Sequence, residues 1–227
     1  TRTVQGNTMA AFSVVSYTGN AVSGATIGHG LGVEPDIVIV KNLNLSTQSW
    51  NTYVKNVTTT NAQFLTLNTA DANGNTANPR FIPGNFSSSV FSVGNDNSTN
   101  GASGVDTYIA YCFASVAGYS KISSYTGNGS ASAGPIINTA FEPAYVMIKR
   151  TDSIDDWIVV DNKRNTTNSR YNYLMPNSNA VENGSASGAV NPLVNFLTNG
   201  FQIAATWGAV NNNGSLYVYM AFASDGS

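Results

Sequence analysis

Short apolar runs separated by polar turn clusters follow one another along the chain from Phe12 onward. The runs are rich in Val, Ile, Tyr and Phe, and many of the clusters contain Asn-Gly, as at Asn73-Gly74 and Asn128-Gly129. Short runs of β-branched and aromatic residues bounded by such turns are typical of β-strands. The pattern therefore predicts an all-β protein.

Four of these runs are apolar at successive positions, where a half-exposed strand would alternate. They lie within residues 36–41, 108–114, 144–149 and 217–223. A strand that is covered on both faces needs apolar side chains on both of its sides. We therefore expect these four strands in the middle of a β sandwich.

The chain contains two copies of one unit. The motif at residues 17–20, Tyr-Thr-Gly-Asn, returns at residues 125–128, an offset of 108 residues (125 − 17 = 108). The offset is 107 between Trp50 and Trp157 and 109 in the last matched run. Because the offset changes so little between matched apolar runs, the insertions fall in connecting loops, and the repeat is a whole small domain.

The repeat predicts how the chain is divided. Residues 1–11 carry little periodicity and are assigned to a lead-in arm. Residues 12–116 and 117–227 are predicted to form two tandem, homologous β-sandwich units. At most one short helix is expected in the whole chain. That helix is expected where Asn191-Pro192 provides a cap and a first-turn proline, and where apolar residues follow at helical spacing up to Asn199-Gly200.

Composition narrows the classes of function. Of the 227 residues 42% are hydrophobic and only 10% are charged, against roughly 25% charged in an average globular protein. The formal net charge of −2 offers no basic field for a phosphate backbone, so we expect no nucleic-acid partner. No apolar run reaches the length of a transmembrane helix, so we expect no membrane insertion.

Two residues occur once each and invite a chemical interpretation. Cys112 has Ala221 as its counterpart in the second copy, which marks its position as small and apolar. His29 lies in the glycine-rich segment 28–32, directly before a core strand. A catalytic histidine would need a nucleophile and an orienting carboxylate, so we favour a turn histidine that donates to a backbone carbonyl.

The densest group of carboxylates precedes Trp157 and contains Asp152, Asp155 and Asp156. Clustered oxygens on a loop are what calcium requires, so these residues form a candidate metal site. Their spacing matches no EF-hand loop, and the first copy has no carboxylate in the same place. The favoured interpretation is the polar tip of a hairpin, where aspartate stabilises the turn through its side-chain oxygen.

Aromatic residues are the remaining candidates for recognition. Trp207, Tyr171 and Tyr173 are interpreted as a glycan-binding surface, because flat aromatic faces can stack on sugar rings. Trp207 has no counterpart in the first copy and is expected to be exposed. Trp50 and Trp157 match across the repeat, and for these two a place in the core is favoured.

Three segments carry a resemblance to a known family. Residues 29–41, 108–128 and 141–150 resemble a duplicated β domain of tailed-phage virion-surface proteins of the tail-fibre type. The resemblance implies a sandwich of jelly-roll or concanavalin/laminin-G-like type in a homo-oligomeric, extracellular virion component. In the family pattern a tryptophan-containing strand is followed by an aspartate and an arginine, matched here by Asp161 and Arg164, for which a structural ion pair is implied.

The leading hypothesis for function is a non-enzymatic structural protein of a phage virion, on a fibre or on the capsid exterior, that acts by self-assembly, with a trimer favoured by fibre symmetry. The alternative is a glycan-binding adhesin of a tail fibre or a secreted protein, with host-surface glycan as its partner. A polysaccharide-cleaving domain would require two carboxylates across a cleft. Asp155 and Asp161 are the only pair in the sequence that could fill these two roles.

Overall fold

The computed structural model of the chain describes residues 2–7, 11–101, 105–182 and 192–224. The chain divides into two compact units. Unit 1 comprises Thr1–Thr69 and Asn73–Ser115, and unit 2 comprises Ala70–Ala72 and Val116–Ser227. Both units are built from antiparallel β-sheets, so the protein is an all-β protein of two tandem sandwich units.

Unit 1 contains a seven-stranded sheet in the order β1-β2-β9-β4-β5-β6-β7 and a two-stranded sheet of β3 and β8. A single 3₁₀ turn, Pro83–Asn85, precedes β8. The strands are β1 (Arg2–Asn7), β2 (Phe12–Thr18), β3 (Ala25–Gly28), β4 (Ile37–Asn42), β5 (Asn51–Val54), β6 (Gln63–Thr66), β7 (Gly74–Asn75), β8 (Val90–Val93) and β9 (Thr107–Phe113).

Unit 2 contains a four-stranded sheet in the order β10-β16-β12-β13 and a three-stranded sheet in the order β11-β15-β14. Its elements are β10 (Ser120–Thr126), β11 (Ile136–Asn138), β12 (Pro143–Arg150), β13 (Ile158–Asp161), β14 (Val194–Leu197), β15 (Gly200–Ile203), α1 (Gly208–Asn211) and β16 (Leu216–Ala223). Along the chain, β2, β4, β5 and β9 of unit 1 correspond to β10, β12, β13 and β16 of unit 2.

The four long apolar runs form strands in the middle of the larger sheets, but the predicted burial on both faces holds for β4 and not for β9. In unit 1, β9 lies between β2 and β4, and in unit 2, β16 lies between β10 and β12. Strand β4 is buried at nearly every position, whereas β9 alternates between buried residues and half-buried residues such as Tyr111. The alternation follows from the pleat, because successive side chains point to opposite faces of a sheet.

The core of each unit lies between its two sheets. In unit 2, Ile148 of β12 and Tyr217 of β16 pack with Phe201 of β15 and Phe196 of β14 in one cluster of buried side chains. In unit 1, the ring of Tyr17 on β2 meets that of Phe91 on β8, with a centroid distance of 6.1 Å. Full burial of one such side chain contributes about 1.5–3 kcal/mol, which makes these interfaces the main source of stability.

The predicted helix is wrong. Residues 194–197 form strand β14, which pairs with β15 through a tight connection at residues 198–199, and Asn191 lies outside the described residues. The apolar residues Val194 and Phe196 also fit a two-residue period. Of the Asn199-Gly200 pair that was interpreted as a helix stop, Asn199 lies in the hairpin turn and Gly200 begins β15. The one α-helix among the described residues is the single turn α1.

Residues of the predicted lead-in arm belong to unit 1. Arg2–Asn7 form β1, which pairs antiparallel with β2, so that Val4 lies opposite Val15. Edge-strand pairing is made by backbone groups and requires no periodic side-chain pattern, which is why the composition of the arm did not predict it. Among the described residues, no helix is long and apolar enough to cross a membrane.

Candidate functional site

Each unit contains a stacked pair of tyrosines between its sheets. Tyr17 stacks on Tyr108 with ring centroids 5.1 Å apart, and Tyr125 stacks on Tyr217 at 4.9 Å. The hydroxyl of Tyr17 donates to the Thr99 carbonyl, and that of Tyr125 donates to a carbonyl in α1, both at 2.6 Å. Burial raises the pKa of Tyr17 and Tyr125 well above the usual value, so both remain neutral donors.

A buried asparagine accompanies each tyrosine pair. Asn211 donates to the carbonyls of Ser130 and Ala205, at 2.9 and 2.7 Å, and its side-chain oxygen accepts from the Asn128 amide at 2.8 Å. Asn100 in unit 1 makes the equivalent bonds, including one of 2.8 Å to the Gly94 carbonyl. The polar atoms of these asparagines are hydrogen-bonded to main-chain groups, so the two clusters hold loops in place.

His29 is a structural residue, as favoured from the sequence. It is fully buried, its Nδ1 accepts from the Leu31 amide at 3.1 Å, and its Nε2 lies 3.1 Å from the Ser87 carbonyl. Both contacts are satisfied by the neutral imidazole that carries its proton on Nε2. The ring therefore joins the glycine-rich turn to the loop before β8.

Lys41 on β4 and Lys149 on β12 have the same structural role, because the amine of each donates to main-chain carbonyls. The Lys41 amine donates to three main-chain carbonyls within residues 42–48, at 2.9 to 3.2 Å. The Lys149 amine, which is fully buried, donates to the carbonyls of Arg150 and Ala70 at 2.7 and 3.2 Å. Burial lowers the pKa of Lys149 to about 8, partly offset by nearby aspartates such as Asp155.

The three aspartates of the candidate metal site are separated by their partners. Arg150 Nε lies 2.7 Å from an oxygen of Asp152, and Arg150 Nη1 lies 3.1 Å from an oxygen of Asp155. Asp156 accepts from the side-chain amide of Asn177 at 2.7 Å. No group of three His, Cys, Asp or Glu suited to a metal ion occurs within the ranges that the structure covers. These carboxylates stabilise the loop between β12 and β13.

The three aromatic residues of the proposed glycan surface pack inward. Tyr173 is only 3% exposed, and its ring lies 5.2 Å from that of Trp207. Trp207 and Tyr171 are half-buried and pack against the core of unit 2. The expectation that Trp207 is exposed is therefore wrong, and these three residues do not form an open platform. The aromatic composition of a segment does not predict which of its side chains are buried in the core.

The two matched tryptophans have different environments. Trp157 is 1% exposed and belongs to the interior, as predicted. Trp50 is half-buried, and its ring stacks on Tyr111 of β9 at 6.1 Å. Their main-chain amides are nonetheless bound alike, since Trp50 donates to Asn68 at 2.8 Å and Trp157 donates to Asn177 at 2.9 Å.

A cavity of about 510 Å³ in unit 2 is the best candidate for a binding site. Tyr145 and Asp161 lie directly opposite each other on β12 and β13, and both line the cavity with Arg164. The rest of the wall is mainly apolar and consists of Val159, Leu174, Met175, Pro176, Ser178 and Ala180. Cavities of this volume with an apolar wall and a few convergent polar groups are typical of small-ligand sites.

The charged groups of this cavity are held in position. One oxygen of Asp161 accepts from the amides of Lys163 and Arg164 at 2.9 and 2.8 Å, and the other is paired with Arg164 Nη1. Arg164 Nε lies 2.8 Å from Glu182. Burial raises the pKa of Tyr145 to about 12 against the opposing effect of Arg164, so its hydroxyl is neutral at physiological pH.

The cavity residues are specific to unit 2. Tyr145, Asp161 and Arg164 correspond by the repeat offsets to Ile37, Val54 and Val57 of unit 1, which are buried apolar residues. The tyrosine and asparagine clusters, in contrast, occur in both units. The tyrosine and asparagine clusters are therefore shared by the two units, whereas Tyr145, Asp161 and Arg164 occur in unit 2 alone.

Two of the cavity residues were identified from the sequence, as an ion pair and not as part of a binding site. Asp161 and Arg164 were identified through the family resemblance as a structural ion pair, and the structure pairs them. Tyr145 was treated only as part of a core strand. The signal that joins it to the ion pair is the register of β12 on β13, which follows from the hairpin and not from spacing along the chain.

Comparison with known proteins gives one match. A family model described as a domain of unknown function, DUF7483, matches residues 1–225. No curated protein and no solved structure matches the chain significantly.

Proposed function

The chain belongs to the DUF7483 family. We propose that it is a non-enzymatic structural component of a tailed-phage virion surface, on a fibre or on the capsid exterior, and that it acts by self-assembly into a homo-oligomer. The virion part of the proposal rests on the resemblance of residues 29–41, 108–128 and 141–150 to tailed-phage virion-surface proteins. The observation that supports the non-enzymatic part is the use of polar interior groups for the scaffold. His29, Lys149 and Asn211 are bound to main-chain groups, and Asp152 and Asp155 are bound to one arginine.

The position of the carboxylates also supports a non-enzymatic role. Glycoside hydrolysis commonly uses two carboxyl groups about 5 to 9.5 Å apart. Asp155 precedes β13 and Asp161 ends it, and the four residues of β13 alone extend over about 13 Å at roughly 3.3 Å per residue. Each of the two carboxylates is paired with its own arginine, Arg150 and Arg164.

Exposed apolar side chains support self-assembly. Leu43 is 58% exposed and Val105 is 68% exposed, and the Leu43 amide donates to the Thr107 carbonyl, which brings the two loops to one end of unit 1. Contiguous apolar patches mark contacts between proteins, and these two side chains are the candidates for such a patch at this end of unit 1. In a chain with so few charges, such contacts depend on shape and burial more than on ion pairs.

The test of the proposal is the composition of the particle. Virions of a tailed phage that encodes this chain are purified and analysed by peptide mass spectrometry, and gold-labelled antibodies locate the chain by electron microscopy. We expect the chain in every particle, with label on a fibre or on the capsid exterior. A chain that is produced during infection but is absent from purified virions would refute the proposal.

Self-assembly has a separate test. We expect the purified chain to form an oligomer of defined mass by size-exclusion chromatography with light scattering. The double variant Leu43→Ser and Val105→Ser should shift it toward the monomer, whereas Ala131→Ser, at an exposed loop position of unit 2, should not. A monomeric wild-type chain would count against self-assembly.

A second candidate function is glycan binding by an adhesin. The observation that favours it is the cavity at Tyr145, Asp161 and Arg164, whose three polar residues are replaced in unit 1 by apolar ones. Individually weak sugar contacts become effective when a particle carries many copies of one site. Binding of the purified chain to a glycan array tests this candidate, which is compatible with a place on the virion.

A further inference from the structure

We propose that the cavity of unit 2 lined by Tyr145, Asp161, Arg164 and the apolar segment 174–176 binds a neutral pyranose residue of a glycan. The proposal rests on the second candidate function and specifies its site and its class of ligand. It replaces the cluster of Trp207, Tyr171 and Tyr173, of which Tyr173 is buried.

The apolar part of the cavity suits one face of a sugar ring. Leu174, Met175, Pro176 and Val159 line the cavity, and Val159 is paired with Leu174 in an antiparallel β-bridge. A pyranose presents axial C–H groups on its flat faces, and these groups lose little when they leave water for an apolar surface. The wall therefore favours a cyclic sugar over a flexible polar chain.

The polar part of the cavity suits hydroxyl groups. A hydroxyl both donates and accepts, so it can donate to Asp161 and accept from Arg164 at the same time. Two of the five guanidinium N–H donors of Arg164 are used in its ion pairs with Asp161 and Glu182. The Tyr145 hydroxyl is a further neutral donor and acceptor at the same wall.

The charges favour a neutral ligand. Arg164 is already paired with two carboxylates, those of Asp161 and Glu182. A sugar that carries a carboxylate, sulfate or phosphate would bring a third negative group to one guanidinium, which costs free energy in a partly desolvated site. We therefore expect neutral hexoses to bind more tightly than acidic ones.

The site is rigid before a ligand arrives. The Leu174 and Val159 main chains exchange two hydrogen bonds, at 2.9 and 3.0 Å, and the Ser178 amide donates to the Met175 carbonyl at 2.9 Å. Asp161 is fixed by two backbone amides. A site that needs little ordering retains more of its contact energy as affinity.

The experiment measures the binding of simple sugars by NMR titration of the ¹⁵N-labelled chain. The probes are the methyl glycosides of glucose, galactose and mannose, with glucuronic acid as the acidic counterpart. Two variants address the cavity. Arg164→Ala removes hydrogen-bond donors, and Ala180→Trp fills the space from an exposed position. Their matched controls are Lys55→Ala, in the half-buried ion pair with Glu34, and Ala131→Trp, in an exposed loop.

We expect at least one neutral glycoside to shift the amide signals of residues around Tyr145 and Arg164. Both cavity variants should weaken that binding by about tenfold or more, and both controls should leave it unchanged. Circular dichroism and thermal unfolding establish that each variant is folded. Binding that survives in both cavity variants would overturn the site while leaving glycan binding in place. Preference for the acidic sugar would overturn the class of ligand, and no binding of any sugar or array glycan would overturn the second candidate function as well.

Discussion

Removal of the buried asparagine from each unit is the sharpest test of the duplicated scaffold. Asn211 is fully buried and takes part in four hydrogen bonds, with the carbonyls of Ser130 and Ala205 and with the amides of Asn128 and Gly129. At a net value of about 1 kcal/mol for each bond, Asn211→Ala removes about 4 kcal/mol. Because Asn128 lies at the surface and can bind water instead, we expect a loss of about 3 kcal/mol in the free energy of unfolding.

The equivalent substitution in unit 1 should have the same effect. The two side-chain amide hydrogens of Asn100 are shared among the oxygens of Asn20, Val22 and Gly94, and its side-chain oxygen accepts from the Asn20 amide. This amounts to about three full hydrogen bonds for a residue that is 2% exposed. We therefore expect Asn100→Ala to cost about 3 kcal/mol as well. The control is Asn213→Ala, at an exposed position, with an expected change of less than about 0.5 kcal/mol.

Urea denaturation measures the three free energies, and hydrogen exchange followed by mass spectrometry locates each effect. Asn211→Ala should increase exchange in β10 and β16, whereas Asn100→Ala should increase it in β2 and β9. A loss below about 1 kcal/mol in either variant, or a change that appears in the other unit, would refute the argument that these side chains hold the loops of their own sandwich.

Three further predictions follow from packing and ionisation. Gly134→Ala should prevent stable folding of unit 2, because the added methyl would lie 1.8 Å from a carbonyl oxygen of β15; expression and circular dichroism test this. Trp157→Ala should cost about 3 to 5 kcal/mol in urea denaturation, and Trp50→Ala clearly less, because only Trp157 is fully buried. Burial raises the pKa of Cys112 from 9.0 to about 12, so its contribution to stability is complete below pH 9 and is lost as the pH rises toward 12. The free energy of unfolding should fall as the pH rises above about 10.5, and Cys112→Ala should reduce this fall. Burial lowers the pKa of Lys149 from 10.5 to about 8, so its loss of a proton stabilises the folded state as the pH rises from 8 to 10.5 and opposes the effect of Cys112 between pH 9 and 10.5.

The sequence predicted the class of fold because strands leave a local signature. Apolar runs of four to eight residues bounded by Asn-Gly turns predicted the strands, and the repeat predicted two similar units. The same kind of signal failed at residues 194–197, where the apolar positions fit both a helix and a strand. It also failed for β1, whose place is decided by pairing with β2.

The candidate site could be predicted only in part, because its residues are brought together by the register of two strands. Asp161 and Arg164 are three residues apart, and their ion pair follows a local pattern. Tyr145 is sixteen positions from Asp161 along the chain (161 − 145 = 16), yet it lies opposite that residue in the sheet. Of the aromatic residues that composition favoured, Tyr173 belongs to the core and Trp207 packs against it.

The sequence alone determined that this protein is all-β, duplicated, poor in charge and built around matched apolar runs, because periodicity and composition are properties of neighbouring residues. Tertiary structure decided which polar side chains are used by the scaffold and which line a cavity. That choice depends on strand register and on burial between sheets, and both are set by contacts between residues far apart in the chain.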